Sequence, residues 1–124
     1  MDIVSNTLTR IKNASMSRKK TVEVISNRLV KKVVSILKAE GFVEDYKKEK
    51  GKLIIVLKYI GKDPAINSIS RVSKPGRKKF LTCSEIKPVL RGRGVGIISN
   101  SSGVMTLDEA REKGLGGEYI CEVW

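Results

Sequence analysis

Four short side chains in succession, Ser99, Asn100, Ser101 and Ser102, both donate and accept hydrogen bonds, and they follow the apolar run Val95, Ile97 and Ile98. Hydroxyls and an amide held rigidly at the end of a buried strand can read the shape of a polar partner. A second stretch carries a different chemistry: Ser73-Lys74-Pro75-Gly76 demands a tight turn, and Arg77, Lys78 and Lys79 lead from it into Phe80. A basic run beside one aromatic suits a loop whose cations neutralise phosphates while the ring stacks on a base or sugar. The competing reading seats Phe80 in the core. Covalent chemistry has little to draw on. The chain has no histidine, which removes Ser-His-Asp and Cys-His catalysis, His-containing zinc sites and an imidazole pH switch. Lysines, two cysteines and scattered acids remain, in no arrangement that pairs a nucleophile with a base. No metal site or cofactor is expected. Cys83 and Cys121 lack CxxC spacing and read as free thiols of a reducing compartment. Gly92-Arg93-Gly94-Val95-Gly96 resembles a phosphate loop only superficially, because it precedes a strand and opens no helix; its glycines allow close backbone approach.

The elements that position these stretches follow from periodicity. Beyond the polar tip 99–103, Thr106-Leu107-Asp108-Glu109 spells a capping box, so a helix starts at Leu107 and ends before Gly114. Gly116 and Gly117 turn the chain into a closing strand in which Tyr119, Cys121 and Val123 alternate with Ile120, Glu122 and Trp124. Upstream, Ile3, Val4, Thr7, Leu8, Ile11 and Ala14 recur at helical spacing behind an Asp2 cap. After a basic turn, Thr21 to Ile25 is a β-branched strand, and Asn27 caps a helix striped by Leu29, Val30, Val33, Val34 and Leu37 until Gly41 stops it. Phe42 to Lys47 and Leu53 to Tyr59 form a hairpin through Lys50-Gly51. Ile66 to Val72 is a further strand, and Ser84 to Leu90 a single helical turn kept short by Pro88. The class is α+β: an N-terminal α-β-α-β-β domain over 1–62 and a mostly β domain with short helices over 63–124, divided at Gly61-Lys62-Asp63-Pro64.

At 124 residues the chain can bury a core without disulfides or metal. Its net charge is +12, a self-repulsion easiest to tolerate beside a polyanion, so nucleic acid is the first partner to consider. Residues 1–62 hold 15 basic and 6 acidic groups, whereas 103–124 hold 2 and 5. The tip is followed by an acidic tail, so its binding rests on hydrogen bonds and fit more than on bulk charge. No apolar run approaches eighteen residues, and no membrane segment, transit peptide or small-molecule substrate is read from the sequence.

The order Gly-x-Gly-Val-x-Ile-Ile-Ser-x-Ser-x-Gly-Val-Met-Thr from Gly92, followed by Ala-Arg-x-x-Gly-Leu-Gly-Gly-Glu-x-Ile-Cys from Ala110, resembles the family of protein eight of the small ribosomal subunit, of bacterial and plastid type. Leu8-Thr9-Arg10-Ile11-Lys12-Asn13, Glu40-Gly41-Phe42 and Arg71-Val72-Ser73-Lys74-Pro75-Gly76 extend the likeness along the whole chain. The resemblance implies a non-enzymatic structural constituent of the ribosome with two α/β domains. It would be a primary rRNA-binding protein that binds the central domain of small-subunit rRNA and helps assemble the platform, beside neighbouring ribosomal proteins and without forming a homo-oligomer. Carried over by motif, the RNA-binding residues are Ser99, Asn100, Ser101, Ser102 and Gly103, with Glu118 as a carboxylate that fixes loop hydroxyls or accepts from a base amino group. Lys74, Lys78 and Phe80 of the basic loop and Arg10, Lys12 and Asn13 of the first helix complete the set. The chain departs from the family pattern at Asn100, usually Thr, at Phe80, usually Tyr, at Arg77 and Lys79, usually apolar, and at Ile3, usually Pro. Its closing Cys121-Glu122-Val123-Trp124 resembles plastid members, which favours the plastid stroma over the bacterial cytoplasm as its compartment. A general polyanion-binding or RNA-processing protein is the alternative reading.

Overall fold

The structure is a computed structural model that describes residues 3–124, the side chains of residues 90 and 91 apart. The Asp2 cap lies outside the described residues. The architecture is α+β, with three helices and short antiparallel sheets among the described residues. The chain divides into two compact units at Ser68/Ile69, six residues beyond the break read from the sequence.

In the first unit, helix α1 (Ile3–Met16) buries Val4, Thr7, Leu8, Ile11 and Ala14, and leaves Ile3 exposed. Strand β1 (Thr21–Ile25) follows, then helix α2 (Arg28–Ala39). The Asn27 carboxamide accepts from Val30 N–H at 2.7 Å, satisfying one of the donors that a helix start leaves open. Val30, Val33, Val34 and Leu37 form its buried stripe. Strands β2 (Val43–Glu49) and β3 (Lys52–Leu57) pair through Lys50 and Gly51, both at positive φ (49° and 79°), as a primed hairpin turn requires. The sheet order is β1-β3-β2, and the alternation of β3 buries Leu53, Ile55 and Leu57 on one face. Strand β3 stops at Leu57, earlier than the periodicity suggests. Tyr59–Ile60 (β4) instead pairs with Asp63–Pro64 (β5), so the Gly61–Pro64 break is a hairpin turn inside this unit and not a linker. Ile66, expected in the next strand, is buried within this unit, which shortens that strand to β6 (Ile69–Arg71).

In the second unit, β6 leads through the basic loop to β7 (Phe80–Leu81), then to two 3-10 turns at Cys83–Glu85 and Val89–Gly92 in place of one helical turn. Strands β8 (Val95–Asn100) and β9 (Gly103–Thr106) form a hairpin. Helix α3 (Leu107–Glu112) starts where the capping box placed it: the Thr106 hydroxyl accepts from Glu109 N–H at 3.2 Å and donates to the Glu109 carboxylate at 3.3 Å. Gly114 (φ 70°) ends it. The last strand, β10 (Gly117–Val123), is central, with β8 on one side and both β6 and β7 on the other.

Strict alternation along β10 does not hold. Tyr119 opposes Ile98 and Cys121 opposes Ile97, so Ile120 is an inserted bulge residue. The bulge reverses the parity of the strand: Tyr119 enters the core of Ile86, Val89, Ile98, Met105, Leu107 and Ala110, while Cys121 shares the opposite face with Ile97. The Ile120 carbonyl accepts from Val72 N–H at 3.0 Å and from the Arg71 guanidinium at 2.8 Å, on the β6 side of the strand. Both cysteines are free. Burial pushes the Cys121 thiol up to about 12, partly offset by the Arg71 charge, whereas Cys83 is half-buried. Raising a thiol's pKa removes its reactive thiolate, so an alkylating reagent at about pH 8 is expected to modify one cysteine per native chain, Cys83, and both after unfolding. Mass spectrometry of the digest reads the site, and modification of Cys121 in the native chain would contradict its burial.

Candidate nucleic-acid interface

The hairpin of β8 and β9 pairs Ser99 with Val104 and Asn100 with Gly103, leaving Ser101 and Ser102 exposed as a two-residue loop. Neither serine has positive φ; Gly103 does (φ 122°), and it supplies the reversal. The Asn100 side chain is spent inside the protein. Its carbonyl oxygen accepts from Ser102 N–H at 2.9 Å, and its NH₂ donates to the Gly116 carbonyl at 3.0 Å. Asn100 therefore ties the tip to the start of β10, and the outward hydrogen-bonding groups are the hydroxyls of Ser101 and Ser102.

Two glycines let three strands converge beneath that tip. A Cβ on Gly117 would lie 2.3 Å from the Ser99 carbonyl oxygen, and one on Gly116 would lie 2.2 Å from that of Leu81. No side chain fits at either position without parting the backbones. The convergence sets up a row across the sheet: Phe80 on β7 opposes Glu118 on β10, which opposes Ser99 on β8. Residues in register share a face, so an exposed ring, a carboxylate and a hydroxyl stand side by side. Phe80 is 64% exposed, which excludes the core reading and leaves the ring face open to stacking.

Glu118 holds the hydroxyl of Ser73, which the sequence marks only as part of a tight turn. The Ser73 hydroxyl, wholly buried, donates to the Glu118 carboxylate at 2.5 Å and accepts from Lys79 N–H at 3.0 Å. The Lys79 carbonyl in turn accepts from Tyr119 N–H at 2.9 Å, and Lys74 and Arg77 close the turn with two backbone hydrogen bonds. The basic loop is thereby pinned at its base while Lys74, Arg77, Lys78 and Lys79 remain exposed. No local pattern announces a serine that meets a glutamate forty-five residues away.

Within the first unit, Arg10 and Asn13 are exposed on α1 and Lys12 is half-buried. The Arg10 Nε donates to the Glu23 carbonyl at 3.1 Å, setting the guanidinium between α1 and β1 in a groove that Asn13, Ser17, Lys19 and Thr21 also line. Polar and cationic groups gather there, as a phosphate backbone requires.

The sequence profile of the family described as Ribosomal protein S8 matches residues 2–124. The chain belongs to that family. Its relatives include the small ribosomal subunit protein uS8 of Acaryochloris marina, 43% identical over 129 residues and covering 99% of this chain and 97% of the relative. The protein of that name from Geobacter sulfurreducens is 45% identical over 128 residues with the same coverages, and that of Thermosynechococcus vestitus 42% identical over 129. An S8-family chain is a ribosomal protein and not an enzyme, which agrees with a site built from hydroxyls, an aromatic ring and lysines. In this S8-family chain Ser73, Asn100 and the two glycines form the frame, and Ser101, Ser102, Phe80 and the lysines stand exposed around it.

Proposed function

We propose that this chain is a structural constituent of the small ribosomal subunit that binds the central domain of its rRNA early and helps assemble the platform beside neighbouring ribosomal proteins. The observation that carries this reading is the Phe80–Glu118–Ser99 row, flanked by the serine tip and the pinned basic loop. A-form RNA conceals its major-groove base edges, so proteins read irregular or unpaired segments through shape, 2′-hydroxyls and stacking. Ser101 and Ser102 are small enough to enter such a segment, Phe80 offers a stacking face, and the lysines attract the polymer without choosing its sequence. The protein acts thermodynamically: it stabilises the RNA fold that it binds best. Ser99, Asn100, Ser101, Ser102, Gly103, Glu118, Lys74, Lys78 and Phe80 serve this role in the second unit, and Arg10, Lys12 and Asn13 in the first. The plastid stroma is the proposed compartment, on the strength of the closing Cys121–Trp124.

Ser101→Ala with Ser102→Ala is expected to weaken binding to a central-domain rRNA fragment by about 1 kcal/mol per lost contact, with the salt slope unchanged. Lys78→Ala with Lys79→Ala is expected to lower the slope of log K against log salt by roughly one unit per phosphate contact, on specific and random RNA alike. Filter binding across a salt series separates the two. Identical behaviour of both variants would refute the division of labour between tip and loop.

A further inference from the structure

A second concavity lies on the face of the sheet opposite the Phe80–Glu118–Ser99 row, and the bulge at Ile120 creates it. In a regular strand Tyr119 and Glu122 would point to opposite faces; the inserted residue brings them together, and the Tyr119 hydroxyl donates to the Glu122 carboxylate at 2.5 Å. Opposite Glu122 stands Gly96, where a Cβ would fall 2.4 Å from Leu107 and 3.1 Å from the Tyr119 hydroxyl, so both side chains lie directly over its bare backbone and Tyr119 can reach Glu122. Val89 and Trp124 close over Gly94 in the same way, a Cβ there falling 2.6 Å from a Val89 methyl and 3.2 Å from the Trp124 Cβ. These side chains border a cavity with apolar walls from Leu81, Pro88, Val89 and Trp124, and with the Tyr119–Glu122 pair on its polar side. Lys79 and Lys87, both exposed, also line it. Glu85 does too, with its carboxylate engaged by the Thr82 N–H at 2.8 Å and the Thr82 hydroxyl at 2.9 Å.

We propose that this cavity is a binding site for one unpaired guanosine nucleotide of the bound RNA. Trp124 and the aliphatic walls suit a base face, the Glu122 carboxylate suits the adjacent N1–H and amino donors that guanine alone among the common bases presents together, and Lys79 and Lys87 suit its phosphates. Uracil has no amino group to offer the carboxylate. The proposal rests on the RNA-binding reading above and deepens it. Lys79 belongs both to this cavity and to the basic loop, and Phe80 and Leu81 point to opposite faces of β7. An RNA strand held by the loop can therefore pass around the β7 edge and place a nucleotide in the cavity.

Trp124 is the sole tryptophan of the chain, so its fluorescence reports this cavity alone. Titration of the full chain with guanosine 5′-monophosphate is expected to quench that emission, and uridine 5′-monophosphate to bind roughly tenfold more weakly, as a paired contact to a base edge implies. Glu122→Gln, close in shape, should erase most of that preference. Lys87→Ala, on the exposed rim, should weaken both nucleotides equally and flatten their salt dependence. Emission unmoved by guanosine monophosphate, or equal quenching by both nucleotides in the parent chain, overturns the site. Binding of a central-domain rRNA fragment against a random RNA, measured on the same sample, keeps the two readings apart. Selective RNA binding with silent Trp124 sinks the cavity alone; guanosine-selective quenching with indiscriminate RNA binding sinks the rRNA reading alone.

Discussion

Gly117→Ala is expected to lower folding stability by about 3 kcal/mol and to abolish selective RNA binding. Gly117 has φ 154°, which L side chains rarely adopt, and its added methyl would meet the Ser99 carbonyl oxygen at 2.3 Å and the Asn100 Cβ at 3.0 Å. The nearest obstacle is backbone, so relief requires β10 to part from β8 at the tip. Overpacking of this kind costs about 1 to 3 kcal/mol, and the unfavourable φ adds roughly 1 more. The functional loss follows from geometry. Parting β8 from β10 breaks the Glu118–Ser99 register and moves Gly116, whose carbonyl holds the Asn100 amide. Urea unfolding reads the first effect and competition binding the second. A variant with unchanged midpoint and selectivity would show that the convergence at Gly116–Gly117 does not hold the tip in place.

Ser73→Ala is expected to cost about 2 to 4 kcal/mol, an unusual figure for the loss of one oxygen. The hydroxyl serves two partners at once, and its removal leaves the Glu118 carboxylate and the Lys79 N–H without it. Each polar group so stranded costs about 1 to 3 kcal/mol where water cannot reach it, and the half-buried Glu118 carboxylate falls at the low end. Glu118→Ala added to Ser73→Ala should cost less than the sum of the two single changes, because the second change removes the carboxylate that the first one stranded. Independent, additive losses would mean that the two residues do not act as a pair. The basic loop should also loosen, so weaker binding to all RNAs should accompany the stability loss.

What could be read in the sequence was local. Asn27, Thr106 and Gly114 mark helix ends because caps and left-handed glycines act within three or four residues, and Lys50-Gly51 marks its hairpin for the same reason. The Ile120 bulge was not legible: Glu118 to Trp124 has the alternating pattern of a regular strand, and only pairing with Ile97 and Ile98 inserts the extra residue. The Gly61–Pro64 break reads as a turn in the sequence, but a tight turn within a unit and a linker between units share the same residue types, and here it is a hairpin turn inside the first unit. At the site, the motif drew attention to the serine tip but could not separate its roles. Asn100 looks like its neighbours in the sequence, yet its amide is consumed by Ser102 and Gly116. Ser73 contributes only through a contact between distant strands, and its importance emerges once β7 and β10 are paired.

The most direct measurement is competition at physiological ionic strength between a central-domain fragment of small-subunit rRNA and a random RNA of equal length for the purified chain. At about 0.15 M salt lysine attraction alone discriminates poorly, whereas a specific interface typically binds its target about a thousandfold or more tightly than other sequences. The expected result is a preference of that order, lost in Gly117→Ala and reduced in Ser101→Ala with Ser102→Ala. Equal affinity for the two RNAs would contradict the serine tip as the reader of RNA shape and leave only a basic surface.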